Sequence, residues 1–400
     1  TSVSSDIYTI VRTLLVLALE FRGYQSTYVA SLPPVDQTPL FQRYDSFYRL
    51  LAKACAPDPA DRFASVAELR VQLHGVLREV VSTDRVGDDA ARLAAPSLLF
   101  GTPDVSDAGL DWRDLPVLVV DTADPQTGWL ATVNVEDPAQ RLELLAQAPE
   151  RSTEVLLATG RTALLAGQPD VVDHVADELL TADPWEWRAV WLQGLKALLL
   201  ADGRGAQAAF NAVYGQVPGE LAPKLALALA CEASKEPDIA EALYVACART
   251  DAAYVPPAAF ALARLRAGRN DTTGGVAALD LVASTSRAFP EARRQRAAIL
   301  AASGGGLGAL ADAMRSIDGV SIDNLDRARL TAQVLQTALD AVVARGPQPS
   351  ISVGGHVATE PALRDGLERA YRALAGMAGT PDERTVLVDA ANGVRRWTVR

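Results

Sequence analysis

The chain has 400 residues, more than one compact core usually organises, and 49% of them are hydrophobic while only 6% are aromatic, which favours helices over a β-sandwich. A formal charge of −11 excludes a surface built to grip nucleic-acid phosphates, since that task needs clustered Lys and Arg. The acidity reads instead as solubility.

The chain opens at Thr1 without Met and inside an apolar stretch, so a fragment of a longer protein is expected. Ser5-Asp6-Ile7-Tyr8-Thr9 leads into Ile10 to Leu19, a polar helix start followed by a nearly all-apolar helix. A helix apolar on every side belongs in a core, and this run is about half the length needed to cross a bilayer. No transmembrane segment is expected.

Some forty residues on stands Ala56-Pro57-Asp58-Pro59-Ala60-Asp61-Arg62-Phe63-Ala64-Ser65, followed by an amphipathic stretch from Val66 to Leu73. The two prolines force a turn, and Ser65 with Glu68 predicts a capping box. Taken singly, Asp6 reads as a helix cap and Arg62 as a surface charge. Taken together and in order, the two segments resemble the closing half of a protein-kinase C-lobe. Gly75 to Val81 and Arg12-Thr13-Leu14 narrow that resemblance to PknG-like bacterial serine/threonine kinases. Val11 departs from it, standing where most kinases have Gly.

The resemblance implies that Asp6 braces a catalytic loop by hydrogen bonds to its backbone. It also implies that Arg62 pairs with the glutamate ending an activation segment. Phosphoryl transfer needs a Gly-rich loop, a strand lysine, an H-R-D base loop and a D-F-G metal site, and none of these stands in the sequence. The chain alone is therefore expected to be inactive, with no catalytic, cofactor or metal residue of its own. ATP and Mg2+ are expected only of a parent kinase.

Residues 1–82 are thus read as the end of a kinase lobe, and the polar run Ser82 to Asp89 as a boundary. From 83 to 150, short apolar runs between Pro, Gly and Asp suggest a connector with one or two strands. Asp121, Asp124, Glu136 and Asp137 lack calcium-loop spacing and read as solvated turn carboxylates.

Residues 151–290 repeat every 34 positions. A unit begun at Trp187 places Gly194, Ala206, Phe210 and Pro218 where a tetratricopeptide (TPR) hairpin needs a small residue, Ala, a bulky residue and Pro. The preceding unit from Thr153 places Gly160, Val172, Ala176 and Pro184, and the following one from Leu221 places Ala228, Ala240 and Tyr244. A fourth, from Val255, is less regular, with Asn270 to Gly275 expected to lengthen its inter-helix turn. Trp185, Trp187 and Trp191 read either as peptide anchors or as filling between helices. Lys196, Lys224 and Lys235 are candidate readers of acidic peptides.

Residues 291–400 show helical periodicity and read as helices capping the repeats. Gly304 to Ala309 spells G-x-G-x-x-A without a preceding strand, so an inter-helix turn is expected there, not a dinucleotide loop. Cys55, Cys231 and Cys247 form no C-x-x-C pair and read as reduced core residues of a cytoplasmic protein.

The expected fold is mostly α: kinase C-lobe helices, then a TPR α-solenoid with C-terminal capping helices. The resemblance implies a kinase that phosphorylates an FHA-domain metabolic regulator, its TPR region docking that substrate or pairing two copies as a homodimer. The alternative is a non-enzymatic TPR scaffold binding a protein or peptide. On that alternative, removing the first eighty residues leaves the repeats stable.

Overall fold

The computed structural model describes residues 2–20, 23–24, 26–29, 31–84, 95–105 and 109–396, and it divides into two compact units, Thr1–Ala258 and Ala259–Arg400. It is mostly helical, and no helix among the described residues is long and apolar enough to cross a membrane.

The first unit opens with α1 (Val3–Ala18), α2 (Pro39–Arg43), α3 (Asp45–Ala54) and α4 (Val66–Asp84). Ser2 caps α1 by accepting from Ser5 N. Ile7, Val11 and Leu15, four residues apart, bury one stripe against Phe41, Leu50, Leu51 and Phe63. The opposite side is open, with Ile10 and Val16 exposed and Leu17 80% exposed, so the expected all-round burial does not hold. At α4, Glu68 N donates to Ser65 Oγ at 3.1 Å as expected, but Glu68 Oε2 accepts from Ala64 N at 2.8 Å, one residue before the usual capping-box donor. The polar run read as a boundary continues α4 to Asp84, and its remainder lies outside the described residues.

The connector carries α5 (Thr127–Leu130) and α6 (Pro138–Leu145), neither expected from sequence. Among the described residues of the connector an isolated bridge between Phe100 and Leu118 stands in place of strands. Gly101 N donates to Val117 O at 2.8 Å and Val119 N to Leu99 O at 2.9 Å, which satisfies a chain too irregular to pair further.

Six helices follow as successive antiparallel pairs: α7 (Thr153–Leu165) with α8 (Pro169–Ala182), α9 (Trp187–Leu199) with α10 (Gly203–Gln216), and α11 (Ala222–Ala233) with α12 (Pro237–Thr250). Each pair is joined by three residues, the middle one left-handed: Gly167 at φ 69°, Ala201 at 57° and Lys235 at 63°. The next residue's N–H reaches back to the fifth carbonyl before it, Gln168 N to Ala163 O, Asp202 N to Ala197 O and Glu236 N to Cys231 O, each at 2.8 Å. This Schellman closure satisfies the last carbonyls of the first helix and reverses the chain in each pair.

The pairs lie close because the small positions are filled from across. A Cβ on Gly160 would sit 2.6 Å from Leu192 Cδ1, and one on Gly194 would sit 2.6 Å from the Phe210 ring. Ala206, Phe210, Ala228, Ala240 and Tyr244 are fully buried. Pro184 and Pro218 each follow the C-cap of a second helix, at Asp183 and Val217.

The next helix, α13 (Val255–Gly268), runs across the division between the units. In the second unit it joins α14 (Thr272–Leu279) through residues 269–271, with Asn270 at φ 63° and Asp271 N donating to Arg266 O at 2.9 Å. The expected longer turn is absent, because Asp271 caps the helix through Gly274 N and draws Thr272 to Gly275 into it. A further pair, α15 (Phe289–Ala302) with α16 (Gly306–Ile317), turns at Gly304 with φ 68°, so the periodic turn recurs beyond residue 290. The glycine string is an inter-helix turn, as read.

The chain then forms α17 (Asn324–Arg345), a hairpin of β1 (Gln348–Val353) and β2 (His356–Ala358), α18 (Glu360–Met377) and α19 (Pro381–Val394). The hairpin was not expected, although Gly354-Gly355, at φ 58° and 81°, between alternating residues is a readable signal for it. Val353 and Ala358 bury into the core formed by Leu310, Leu335, Leu339, Leu363 and Leu367.

Candidate functional site

A cleft of about 960 Å³ lies in the first unit, walled by the foot of the opening helices, the connector and the start of α9. The foot is fixed by Arg62. Its Nε donates to Ala56 O at 2.8 Å, Nη1 to Ser4 O at 3.2 Å and Nη2 to Pro57 O at 3.2 Å, while the guanidinium lies 4.8 Å from the Tyr8 ring centroid. One fork thus ties the prolyl turn to α1. Asp6 stands exposed on α1, on the side away from the buried stripe. Lys53 Nζ donates to Gln216 O at 3.0 Å and to Glu68 at 3.2 Å, spanning from α3 to the end of α10, and burial lowers its pKa against the pull of Glu68.

The opposite wall is aromatic. Trp185 is 47% exposed, whereas Trp191 is buried and fills the space between helices. The Phe100 ring sits 5.4 Å from Trp187 and 4.9 Å from Trp191, which in turn meets Phe210 at 5.1 Å. The connector is thereby wedged into the second repeat through edge and tilted ring contacts. Arg188 donates to Glu186 and Glu154, each at 2.6 Å, and burial holds Glu154 above the usual carboxylate range despite that pairing. Five carboxylates (Asp61, Glu68, Asp121, Asp183, Glu186) and three cations (Lys53, Arg62, Arg188) line the cleft, a surplus that disfavours a nucleotide's phosphates.

Three of the four connector acids, Asp121, Asp124 and Asp137, also close turns or cap a helix. Asp124 accepts from Gln126 N and Ser152 Oγ, each at 2.8 Å, and from Glu154 N at 3.1 Å. Asp137 accepts from Gln140 N at 2.9 Å to cap α6. Among the described residues no cluster of His, Cys, Asp and Glu could hold a metal ion. The three cysteines are buried, with thiols pushed up to about 11 at Cys55, about 11 at Cys231 and about 12 at Cys247 by burial.

Behind the cleft the opening helices are fused to the repeats. Lys224, 1% exposed, donates from Nζ to Glu79 Oε2 at 2.6 Å, to Pro218 O at 3.1 Å and to Glu220 O at 3.3 Å. Ser46 Oγ donates to Glu79 at 2.6 Å and shares a 2.7 Å hydrogen bond with the Tyr214 hydroxyl, and Gln72 Oε1 accepts from Gly219 N at 2.8 Å. Gly75 lies so close to Gly219 that a Cβ on either would strike the other strand of backbone. Of the three lysines suggested as peptide readers, Lys224 is buried here, Lys196 pairs with Asp173 at 2.6 Å, and Lys235 forms the third inter-helix turn. Sequence reasoning missed the Lys224–Glu79 pair and the glycine contact. Glycine in the middle of α4, where it weakens a helix, was the available sign of a close approach.

Residues 108–398 match the family model for the protein kinase G tetratricopeptide repeat. The serine/threonine-protein kinase PknG of Mycolicibacterium smegmatis is 34% identical over 431 aligned positions, covering 98% of this chain and 56% of that protein. PknG of Mycobacterium leprae is 35% identical over 430, covering 98% and 55%. The chain spans about half the length of these curated relatives. The solved structure of PilW, a type IV pilus biogenesis factor, overlays at a TM-score of 0.41 with 15% identity, covering 59% of this chain and 98% of that one, too slight a likeness to bear on function.

Proposed function

The chain belongs to the protein kinase G tetratricopeptide-repeat family, and on that premise we propose that it is the docking arm of a PknG-like serine/threonine kinase. The observation that carries this reading is the fusion of α4 to the repeats through Lys224, Glu79, Ser46 and Tyr214. A partner seated in the cleft touches the lobe foot and the repeats together, so it is presented at a fixed orientation to whatever the lobe carries.

In this reading the exposed side of α1, with Val3, Asp6, Ile10 and Leu17, receives the rest of the kinase lobe, which supplies ATP and Mg2+ binding. The docked partner is a protein substrate offering apolar and basic groups to the cleft's aromatic, acid-rich wall. An FHA-domain regulator is the candidate that the kinase resemblance suggests. A second copy of the chain, giving a homodimer, is the competing occupant, and sedimentation of the purified protein separates the two.

The test uses the chain joined to its upstream reading frame. With Trp185→Ala, KM for the protein substrate rises about tenfold while kcat, and the rate on a short peptide, stay unchanged, as expected for lost uniform binding. Equal loss on peptide and protein would sink the docking role. An upstream frame without H-R-D and D-F-G would leave the scaffold reading in its place.

A further inference from the structure

A second cavity of about 400 Å³ lies in the first unit, adjoining the cleft at Val120, between the connector and the first helices of the first two repeats. Leu130, Leu157, Leu192, Leu195 and Trp191 make most of its wall apolar. Its polar lining is Thr127, Glu154, Arg141 and Arg161. The Thr127 hydroxyl donates to Asp121 O and Asp124 O, each at 2.9 Å, and Glu154 is held by Arg188 at 2.6 Å. The two arginines are different. Neither has an ion pair among the described residues, and Arg141 Nε is buried without a hydrogen-bond partner.

Arg161 lies 5.1 Å from the Trp112 ring centroid, which covers one face of its guanidinium. Its hydrogen bond is a long one, from Nη2 to Arg113 O at 3.5 Å. Burial and the neighbouring Arg113 push this guanidinium below its usual range, against a weaker pull from Asp104. Two fork-shaped donors in an apolar chamber are costly without an acceptor. Arg141 Nε is left with no acceptor and Arg161 with one long hydrogen bond and a ring face.

We propose that this cavity binds a carboxylate carried on a short apolar stem, with Arg141 and Arg161 as its counter-charges and Leu157, Trp191 and Leu195 as the seat for the stem. The planar guanidinium fork matches a carboxylate's two oxygens, and the apolar wall favours a monoanion over a doubly charged phosphate placed beside Glu154. The volume falls within the range of small-ligand pockets, about 300–1,000 Å³. Such a group occurs as a free short-chain acid or as the C-terminal residue of a peptide. The inference does not rest on the docking role of the cleft.

Calorimetric titration of the 400-residue chain with three probes tests it: 4-methylpentanoate, an acetylated tetrapeptide ending in leucine with a free carboxylate, and the same peptide as its amide. At least one acid is expected to bind, with the amide weaker by about tenfold or more, the worth of one charge-assisted hydrogen bond. Arg141→Gln and Arg161→Gln each erase that difference, whereas Val343→Ala, at an exposed position of α17, leaves it intact. Binding of 4-methylpentanoate identifies free acids as the source, and binding of the peptide acid alone identifies a chain terminus. Equal binding of acid and amide, or none by any probe, overturns the proposal. Should an arginine variant fail to fold, the acid–amide comparison on the unaltered chain decides by itself.

Discussion

Gly167, Ala201, Lys235 and Asn270 share one left-handed backbone conformation, yet only the first has no Cβ to clash in it. Gly167→Ala should therefore destabilise the chain by about 1 kcal/mol, and Ala201→Gly should stabilise it by about 0.5–1 kcal/mol, read as opposite shifts of the denaturant midpoint. Lys224 presents the reverse case, a side chain whose sequence context misleads. It stands in an alanine-rich helix where spacing cannot orient it, so only the structure reveals that its ammonium is buried against Glu79. Lys224→Ala should cost about 3–5 kcal/mol, because Glu79 is left charged and half-satisfied in a closed space. Lys224→Met with Glu79→Gln removes both charges and should recover most of the loss in the same measurement. A double variant as unstable as the single one would mean that packing, not the ion pair, governs the site.

The helical hairpins were legible because their period is fixed by steric need. Gly194 must admit Phe210, and a Cβ there would stand 2.6 Å from the ring. Phe210 is fully buried and cannot retreat, so Gly194→Ala should cost about 1–3 kcal/mol in thermal or chemical unfolding, with Phe210→Leu restoring part of it. The connector was not legible for the opposite reason. Its short helices and single bridge are held by side chains that find partners far along the chain, as Phe100 does at Trp187 and Trp191. The β-hairpin was missed because helical periodicity on both sides drew the reading past its Gly-Gly turn, while the exposed side of α1 shows that an apolar run does not by itself dictate which faces are covered. Asp124 is the connector's clearest electrostatic tie. Burial alone would raise its pKa, but the donors Gln126 N, Ser152 Oγ and Glu154 N, together with Arg188, hold it below its ordinary 3.8. A carboxylate depressed in the folded state contributes stability above its unfolded pKa and loses it as pH falls through the folded one. Asp124→Asn should accordingly lower the thermal midpoint at pH 6, and the difference from the unaltered chain should shrink as the pH falls below 3.8. A constant difference across that range would assign the effect to shape rather than charge.

At the scale of the whole chain, the two readings of function differ over whether the repeats can stand without the opening helices. A scaffold that merely retains a kinase-derived segment should tolerate the loss of residues 1–82. The structure argues against that tolerance, since those residues pack on the second and third repeats, at α10 and α12. Ser46 meets Tyr214, and the Arg49 guanidinium lies 4.1 Å from the Tyr214 ring centroid. Lys53 reaches the carbonyl at the end of α10, Gln72 satisfies Gly219 N, and Ser82 lies 3.2 Å from Thr250. Deleting residues 1–82 would strand the buried Lys224 ammonium with only carbonyl partners and expose Tyr214 and the face of α12 that α4 covers. The chain from residue 83 onward should thus melt at a lower temperature than the 400-residue chain and self-associate, as scanning calorimetry and light scattering would register. The double Lys224→Met, Glu79→Gln background separates the two causes. If the stranded charge dominates, the deletion made in that background loses much less. If the uncovered apolar face dominates, the deletion aggregates equally in both. A deleted chain that stays monomeric and melts unchanged would show the repeats to be autonomous, and the proposed docking role would lose its physical basis.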